Sequence, residues 1–152
     1  MRASAHFFDL GGTLLALDDR DEIAYDGQGR VTILHGVREC LASLAGTPVF
    51  VVTNQSGIAE GILTAERFHG FCAQLSAATA GAITAFAACT HAREAGCECR
   101  KPKPGLIFRL AAEHRIDLAA STMVGDTVTD QQLSAAAGVG RFLWAADYFG
   151  HG

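Results

Sequence analysis

The 152-residue chain carries 16 Asp and Glu against 12 Lys and Arg, a net charge of −4, and 49% of its residues are apolar. That balance excludes a disordered chain and argues against a protein that wraps long nucleic acid, whose affinity comes largely from a basic stripe. No apolar run approaches the ~20 residues of a membrane span, and the N-terminus lacks the pattern of a signal peptide.

The expectation is therefore a cytoplasmic protein with reduced cysteines, folded as one domain over residues 1–152. Five short apolar segments read as strands, at about 5–9, 48–53, 84–89, 121–125 and 140–144. Their hydrophobicity is continuous rather than alternating, as in strands buried on both faces of a parallel sheet. The first runs through H-F-F-D-L-G-G-T-L-L and delivers Asp9 onto a turn at Gly11 and Gly12. Open α/β sheets place their chemistry beyond the carboxyl ends of the strands. Taken alone, the string reads equally well as a strand that ends in an Asx turn.

Residues 18–34, rich in Asp and Gly, have no helical period and read as a surface excursion or small hairpin. A helix is expected over 36–45, with Val37, Leu41 and Leu44 on one face and Gly46 as its stop. The second strand ends in Thr53 and Asn54, where a hydroxyl and the following backbone N–H groups can hold phosphate oxygens. A second helix, over 64–80, begins with Thr64 as N-cap and turns Phe68, Phe71, Cys72 and Leu75 inward. Pro104 opens a third helix, and a fourth over about 129–137 ends at Gly138. Strands alternating with helices indicate a parallel α/β sheet with right-handed crossovers. No segment between them is long enough for a second domain or a large lid.

The fourth strand ends at Asp126, with Asp130 one helical turn on, so both can face the edge that holds Asp9. Carboxylates that converge repel one another unless a cation lies between them, and hard oxygen ligands suit Mg2+. Cys89 and His91, then Cys97 and Cys99, form two close ligand pairs joined by a short loop, the pattern of a structural Zn2+ site. Such a site would pin the loop that presents Arg100 and Lys101, which can neutralise a transferring phosphoryl group. Cys40 and Cys72 lie on apolar helix faces and read as core residues.

The order D-L-G-G-T-L, V-V-T-N-Q-S-G-I-A-E-G, C-T-H…C-E-C-R-K-P-K-P-G and V-G-D-T-V-T-D resembles the haloacid dehalogenase-like (HAD) phosphatases. The zinc loop narrows the likeness to the capless subfamily III, the branch of the heptose bisphosphate phosphatases and the histidinol-phosphate phosphatase domain. The resemblance implies a three-layer Rossmann-like sheet without a large cap. It also implies an Mg2+-dependent phosphatase for a small phosphorylated metabolite, commonly a monomer. Asp9 would attack phosphorus and become an aspartyl-phosphate. Thr53 and Asn54 would bind phosphoryl oxygens, Arg100 would steer substrate and Lys101 would neutralise charge. Asp9, the Gly11 carbonyl and Asp126 would hold Mg2+ with Asp130 in support; Cys89, His91, Cys97 and Cys99 would hold Zn2+.

One departure from the family pattern matters most. The family's first motif is D-x-D-G-T, and its second Asp moves the proton between leaving group and water; here that position is Gly11. General acid–base help is typically worth ~10²–10⁴ in rate, so reduced turnover is expected. The alternative is an impaired relative that binds a phosphorylated ligand or a protein partner. Asp18, Asp19 and Asp21 are replacement acids by their nearness in sequence alone.

Overall fold

The computed structural model describes residues 1–150. Five parallel strands, β1 (His6–Phe8), β2 (Val49–Asn54), β3 (Ala85–Cys89), β4 (Thr122–Gly125) and β5 (Arg141–Trp144), form one sheet in the order β3-β2-β1-β4-β5. All five fall within a residue of the stretches expected from apolar continuity. The reason is visible in the burial: Phe7, Phe8, Val49, Phe50, Val51, Val52, Met123 and Val124 are all fully buried, whichever face of the sheet they point to.

Alternate residues feed two cores. Phe8, Val49, Val51 and Val124 pack with α1 (Val37–Ser43), α3 (Ala65–Ala78) and α6 (Ala145–Phe149). Phe7, Phe50, Val52 and Met123 pack with α4 (Gly105–His114) and α5 (Val128–Ala137). Phe7 and Phe50 meet across the strand pair with ring centroids 5.4 Å apart. The result is the three-layer α/β arrangement expected from the alternation of patterns.

The helices are close to expectation at their capped ends. Thr64 accepts from Arg67 N at 3.1 Å, and Gly138 ends α5 in the left-handed region at φ 73°. The fourth helix starts at Val128, one residue early, because Thr127 caps it and Asp130 closes a capping box back onto Thr127 N. Two short helices, α2 (Ser56–Ala59) and α6, were not expected, and neither is long enough to show a period. The stretch 18–34, expected as a surface excursion or small hairpin, belongs to a hairpin that begins earlier, at Leu15, and is held by antiparallel bridges Leu15–Ile33, Leu17–Ile23 and Tyr25–Val31. It is more than surface, since Ile23 is buried and Leu17, Asp21, Glu22 and Ile23 form one wall of a cleft at the strand ends. No helix among the described residues is long and apolar enough to cross a membrane.

His6 is the one ionisable side chain at the core's edge on β1, and its Nδ1 is buried without a partner. Burial, and then the charge of Arg141, lower its pKa from 6.5. The unfolded chain therefore binds a proton that the folded chain refuses. That contribution is full above pH 6.5, falls as pH drops below it, and levels off below the folded pKa. Urea-unfolding midpoints of wild type and His6→Leu should diverge in favour of the variant as pH falls from 7.5 to 5.5. Parallel curves would refute this assignment.

Candidate active site

The order β3-β2-β1-β4-β5 has a switch point at β1: the chain builds one side of the sheet through β2 and β3, then crosses to β4 and β5. Side chains leaving the carboxyl ends of β1, β2 and β4 converge there. They line a cleft of about 250 Å³ whose walls include Asp9, Gly11, Thr53, Asn54, Arg100, Lys101, Thr127 and Asp130.

Asp9 is 8% exposed and sits directly after β1. Lys101 Nζ donates to Asp9 Oδ1 at 2.7 Å, to Asp130 Oδ1 at 2.9 Å and to the Val52 carbonyl at 3.1 Å. All three ammonium protons are thus satisfied inside the protein. Burial works against that charge, but Asp9 and Asp130 outweigh it and hold Lys101 above its ordinary pKa. Burial pushes the Asp9 carboxyl up, Lys101 pulls it down and neighbouring Asp126 pushes it up again, for a net rise. Asp130 is raised too, chiefly by burial and then by the charge of Asp9.

The carboxylates divide into two kinds. Asp130 is 1% exposed, and its Oδ2 accepts from Asp126 N, Thr127 N and Thr127 Oγ1 at 3.0–3.3 Å. Both of its oxygens are occupied, so it supports the site from behind. Asp126 is exposed. It shares the Thr13 hydroxyl with Asp9, at 3.2 Å to Asp126 Oδ1 and 3.5 Å to Asp9 Oδ2. The carboxylate oxygens of Asp9, Asp126 and Asp130 come within 4.8 Å of one another. The Asp9–Asp126 side, open and carrying uncompensated negative charge, fits a divalent cation with oxygen ligands.

Thr53 is buried, accepts from Gln55 Nε2 at 2.9 Å and lines the cleft. Asn54 also lines it, but both ends of its amide hold the backbone of Lys101. Oδ1 accepts from Lys101 N at 2.9 Å, and Nδ2 donates to Lys101 O at 3.3 Å. Arg100 lies beside them with Nη1 buried and without a protein acceptor.

Beyond Arg100 the loop leads back to the Cys/His cluster. Cys89 Sγ lies 3.5 Å from Cys97 Sγ and 3.6 Å from His91 Nδ1, and His91 Nδ1 lies 3.1 Å from Cys99 Sγ. A tetrahedron with metal–ligand distances of about 2.0–2.3 Å has edges of roughly 3.3–3.8 Å; the two Cys89 separations fall in that range and the His91–Cys99 separation is slightly shorter, so the cluster could hold zinc. The cluster is tied to the second strand's exit, because Gln55 N donates to the Cys89 carbonyl at 2.7 Å.

Among the cleft residues that the sequence did not single out as site residues are Leu17, Glu22, Arg93 and Thr129. Leu17 bears on the missing acid, since a Cβ on Gly11 would lie 2.6 Å from Leu17 Cδ2. A leucine methyl fills the space where the family's second Asp would begin.

The comparisons with known proteins agree with this geometry. The chain is 36% identical over 136 residues to the D-glycero-beta-D-manno-heptose-1,7-bisphosphate 7-phosphatase of Pseudomonas putida, spanning 82% of this chain and 78% of that one. It is 37% identical over 97 residues to the enzyme of the same name from Pseudomonas aeruginosa, spanning 62% of this chain but only 54% of that relative. The solved D,D-heptose 1.7-bisphosphate phosphatase of B. bronchiseptica, complexed with magnesium and phosphate, superposes with a TM-score of 0.82 at 29% identity, covering 92% of this chain and 79% of that one. A family model described as polynucleotide kinase 3 phosphatase matches residues 4–140, and the chain belongs to this family of HAD-like phosphatases.

Proposed function

We propose that residues 1–152 act as one domain, a phosphomonoester hydrolase for a small phosphorylated sugar, working through an aspartyl-phosphate on Asp9. The observation that carries the reading is the Asp9 carboxylate, fixed by Lys101 at the end of the central strand and facing a cleft lined by Thr53, Asn54 and Arg100. Asp9 Oδ2 is not held by Lys101, has a 3.5 Å contact to the Thr13 hydroxyl, and is the oxygen that would attack. The Lys101 ammonium stands beside the bond-forming centre and offsets the charge that gathers there. Thr53 and the backbone N–H groups of the following turn receive the phosphoryl oxygens, and the unpartnered Nη1 of Arg100 receives the substrate. Asp9, the Gly11 carbonyl and Asp126 would hold Mg2+, which when bound neutralises the carboxylates and the incoming phosphate together.

A small substrate suits the charge distribution better than a nucleic acid does. Of the densest basic group, Lys101 is spent on Asp9 and Asp130, and Lys103 Nζ is bonded to the Cys97 carbonyl at 2.9 Å. Arg100 is left, with Arg93 at the rim leaning on Glu60 at 3.7 Å. Two guanidinium groups suit one small anionic substrate and make a short footprint for a polynucleotide. Cys89, His91, Cys97 and Cys99 would hold Zn2+ in a closed site that fixes the loop behind Arg100 and Lys101. Reducing cytoplasm keeps such thiols available.

The Leu17 methyl in the space at Gly11 favours a second reading, a binding protein with the same cleft and little turnover. Hydrolysis of 4-nitrophenyl phosphate with Mg2+ separates the two. Wild type should release phosphate, chelation with EDTA should stop it, and Asp9→Asn should fall to background. If wild type is no faster than Asp9→Asn, the binding reading stands. The loop is tested separately. Metal analysis should find about one zinc per chain, and Cys97→Ser should lose it. Because the loop positions Lys101, Cys97→Ser should also lose at least ~10-fold in kcat/KM, the order of effect expected when support around a metal ligand is removed. Retained zinc in Cys97→Ser would sink the four-ligand assignment.

A further inference from the structure

A phosphatase of this kind has to move a proton twice, and Gly11 cannot do it. The residue that fills its space, Leu17, arrives on the hairpin, and the same hairpin brings a carboxylate into the cleft. Leu17 pairs with Ile23 across an antiparallel bridge. At the tip, Asp18 N donates to the Glu22 carbonyl at 2.7 Å, and Glu22 N donates back to Asp18 Oδ1 at 3.1 Å. Asp18 Oδ1 also takes Arg20 N at 2.8 Å. Glu22 is therefore fixed through its backbone while its half-buried side chain lines the cleft. Its Oε2 lies 3.8 Å from the point where a Cβ on Gly57 would sit, against the turn that follows Thr53 and Asn54.

The other hairpin acids are less suited. Asp18 spends its carboxylate on two backbone N–H groups, and Asp19 does not line the cleft. Asp21 lines it but is exposed, on a backbone at φ 60°. Glu22 makes no side-chain hydrogen bond and no ion pair with Lys or Arg among the described residues. A carboxyl group without a protein partner is free to exchange a proton with a bound ester or water.

We propose that Glu22 is the proton-transfer residue of this cleft, reached from the hairpin in place of the acid that Gly11 lacks. The assignment rests on the phosphatase reading above. In the first step Asp9 Oδ2 forms a bond to phosphorus, the bond from phosphorus to the ester oxygen breaks, and the Glu22 carboxyl proton goes to that oxygen, releasing an alcohol. In the second, the Glu22 carboxylate takes a proton from water as the water oxygen bonds to phosphorus. The acyl-phosphate bond breaks, freeing inorganic phosphate and restoring the Asp9 carboxylate and the Glu22 acid. Asp18 is a positioning residue.

The test compares phenyl phosphate with 4-nitrophenyl phosphate, two esters of similar shape whose leaving groups differ in their need for a proton. For wild type, Glu22→Gln, Glu22→Asp, Asp21→Asn and Asp19→Asn, kcat/KM is measured with Mg2+, and zinc content and urea midpoint report folding. Glu22→Gln should lose about 10²-fold on phenyl phosphate and less than about 5-fold on the nitrophenyl ester, where the leaving group departs without a proton. Glu22→Asp should keep the wild-type ratio between the esters at a lower rate. Adding Gly11→Asp with Leu17→Ala to Glu22→Gln should return phenyl phosphate turnover, since the trimmed leucine admits the new side chain. Equal losses on both esters, no loss, or a selective loss in Asp21→Asn instead would overturn the assignment while leaving the phosphatase reading in place. If wild type does not exceed Asp9→Asn on either ester, the phosphatase reading fails and this assignment fails with it.

Discussion

The ammonium of Lys101 is the constraint around which the strand ends are arranged. Burying one cation costs several kcal/mol unless its charge and its donors are matched, and here each of its three protons has an acceptor: Asp9, Asp130 and the Val52 carbonyl. Those partners come from three different places, the ends of β1 and β2 and the first turn of α5. Removing the cation would leave two buried carboxylates facing each other, the kind of loss that costs ~3–5 kcal/mol. Its backbone is held as firmly as its head group, because Asn54 clamps both the N–H and the carbonyl of Lys101. Asn54 thus serves the site first as a support. On the proposed reading, the hydroxyl of Thr53 and the N–H groups beyond it would be left to bind phosphate.

Close approach of these groups depends on two missing side chains. Gly12 has φ 81°, and a Cβ there would run into the Asp126 carboxylate; a Cβ on Gly125 would run into Asp130. The first glycine lets Asp126 lie over the turn after Asp9, and the second lets the capping carboxylate of α5 press against the end of β4. Gly11 differs from both. Its backbone needs no left-handed conformation, and only the end of Leu17 stands in the way of a side chain. Gly12 and Gly125 are demanded by packing, whereas at Gly11 only the flexible end of Leu17 occupies the space of a side chain.

The sheet was legible because burial on both faces leaves no room for polar alternation, so each strand shows as an unbroken apolar run. Asp9, Asp126 and the Cys/His loop were legible for a related reason: strand ends and ligand spacings are local features. Short helices such as α2 and α6 left no trace, since four or five residues contain hardly more than one turn. Asp130 could be placed near Asp9 by counting a helical turn, but its capping role depends on Thr127 being the cap, and T-x-x-D was read there only as part of a carboxylate pair. Glu22 and Leu17 were hidden more deeply. They lie in a run of charges that reads as solvated, and only the Leu17–Ile23 bridge decides which side faces the cleft.

Two loops wall the cleft by different means, and the difference bears on how the site can vary. The Cys/His loop gathers four donor atoms that could hold a single metal ion, and coordination would leave its geometry little room to change. It also leads into Arg100 and Lys101, two cations that line the cleft. The hairpin is closed by backbone pairing and by Asp18, whose carboxyl lies below its ordinary pKa because it accepts from Arg20 N and Glu22 N. Such a hairpin can exchange its side chains without disturbing the sheet, and it carries Leu17, Asp21 and Glu22. On the proposed reading, charge neutralisation would sit in the wall held by the Cys/His loop and proton chemistry in the wall formed by the hairpin. If the proposed roles hold, a chain with that division could lack an acid at the strand end and take one from the hairpin while Asp9, Lys101 and Thr53 stay where they are.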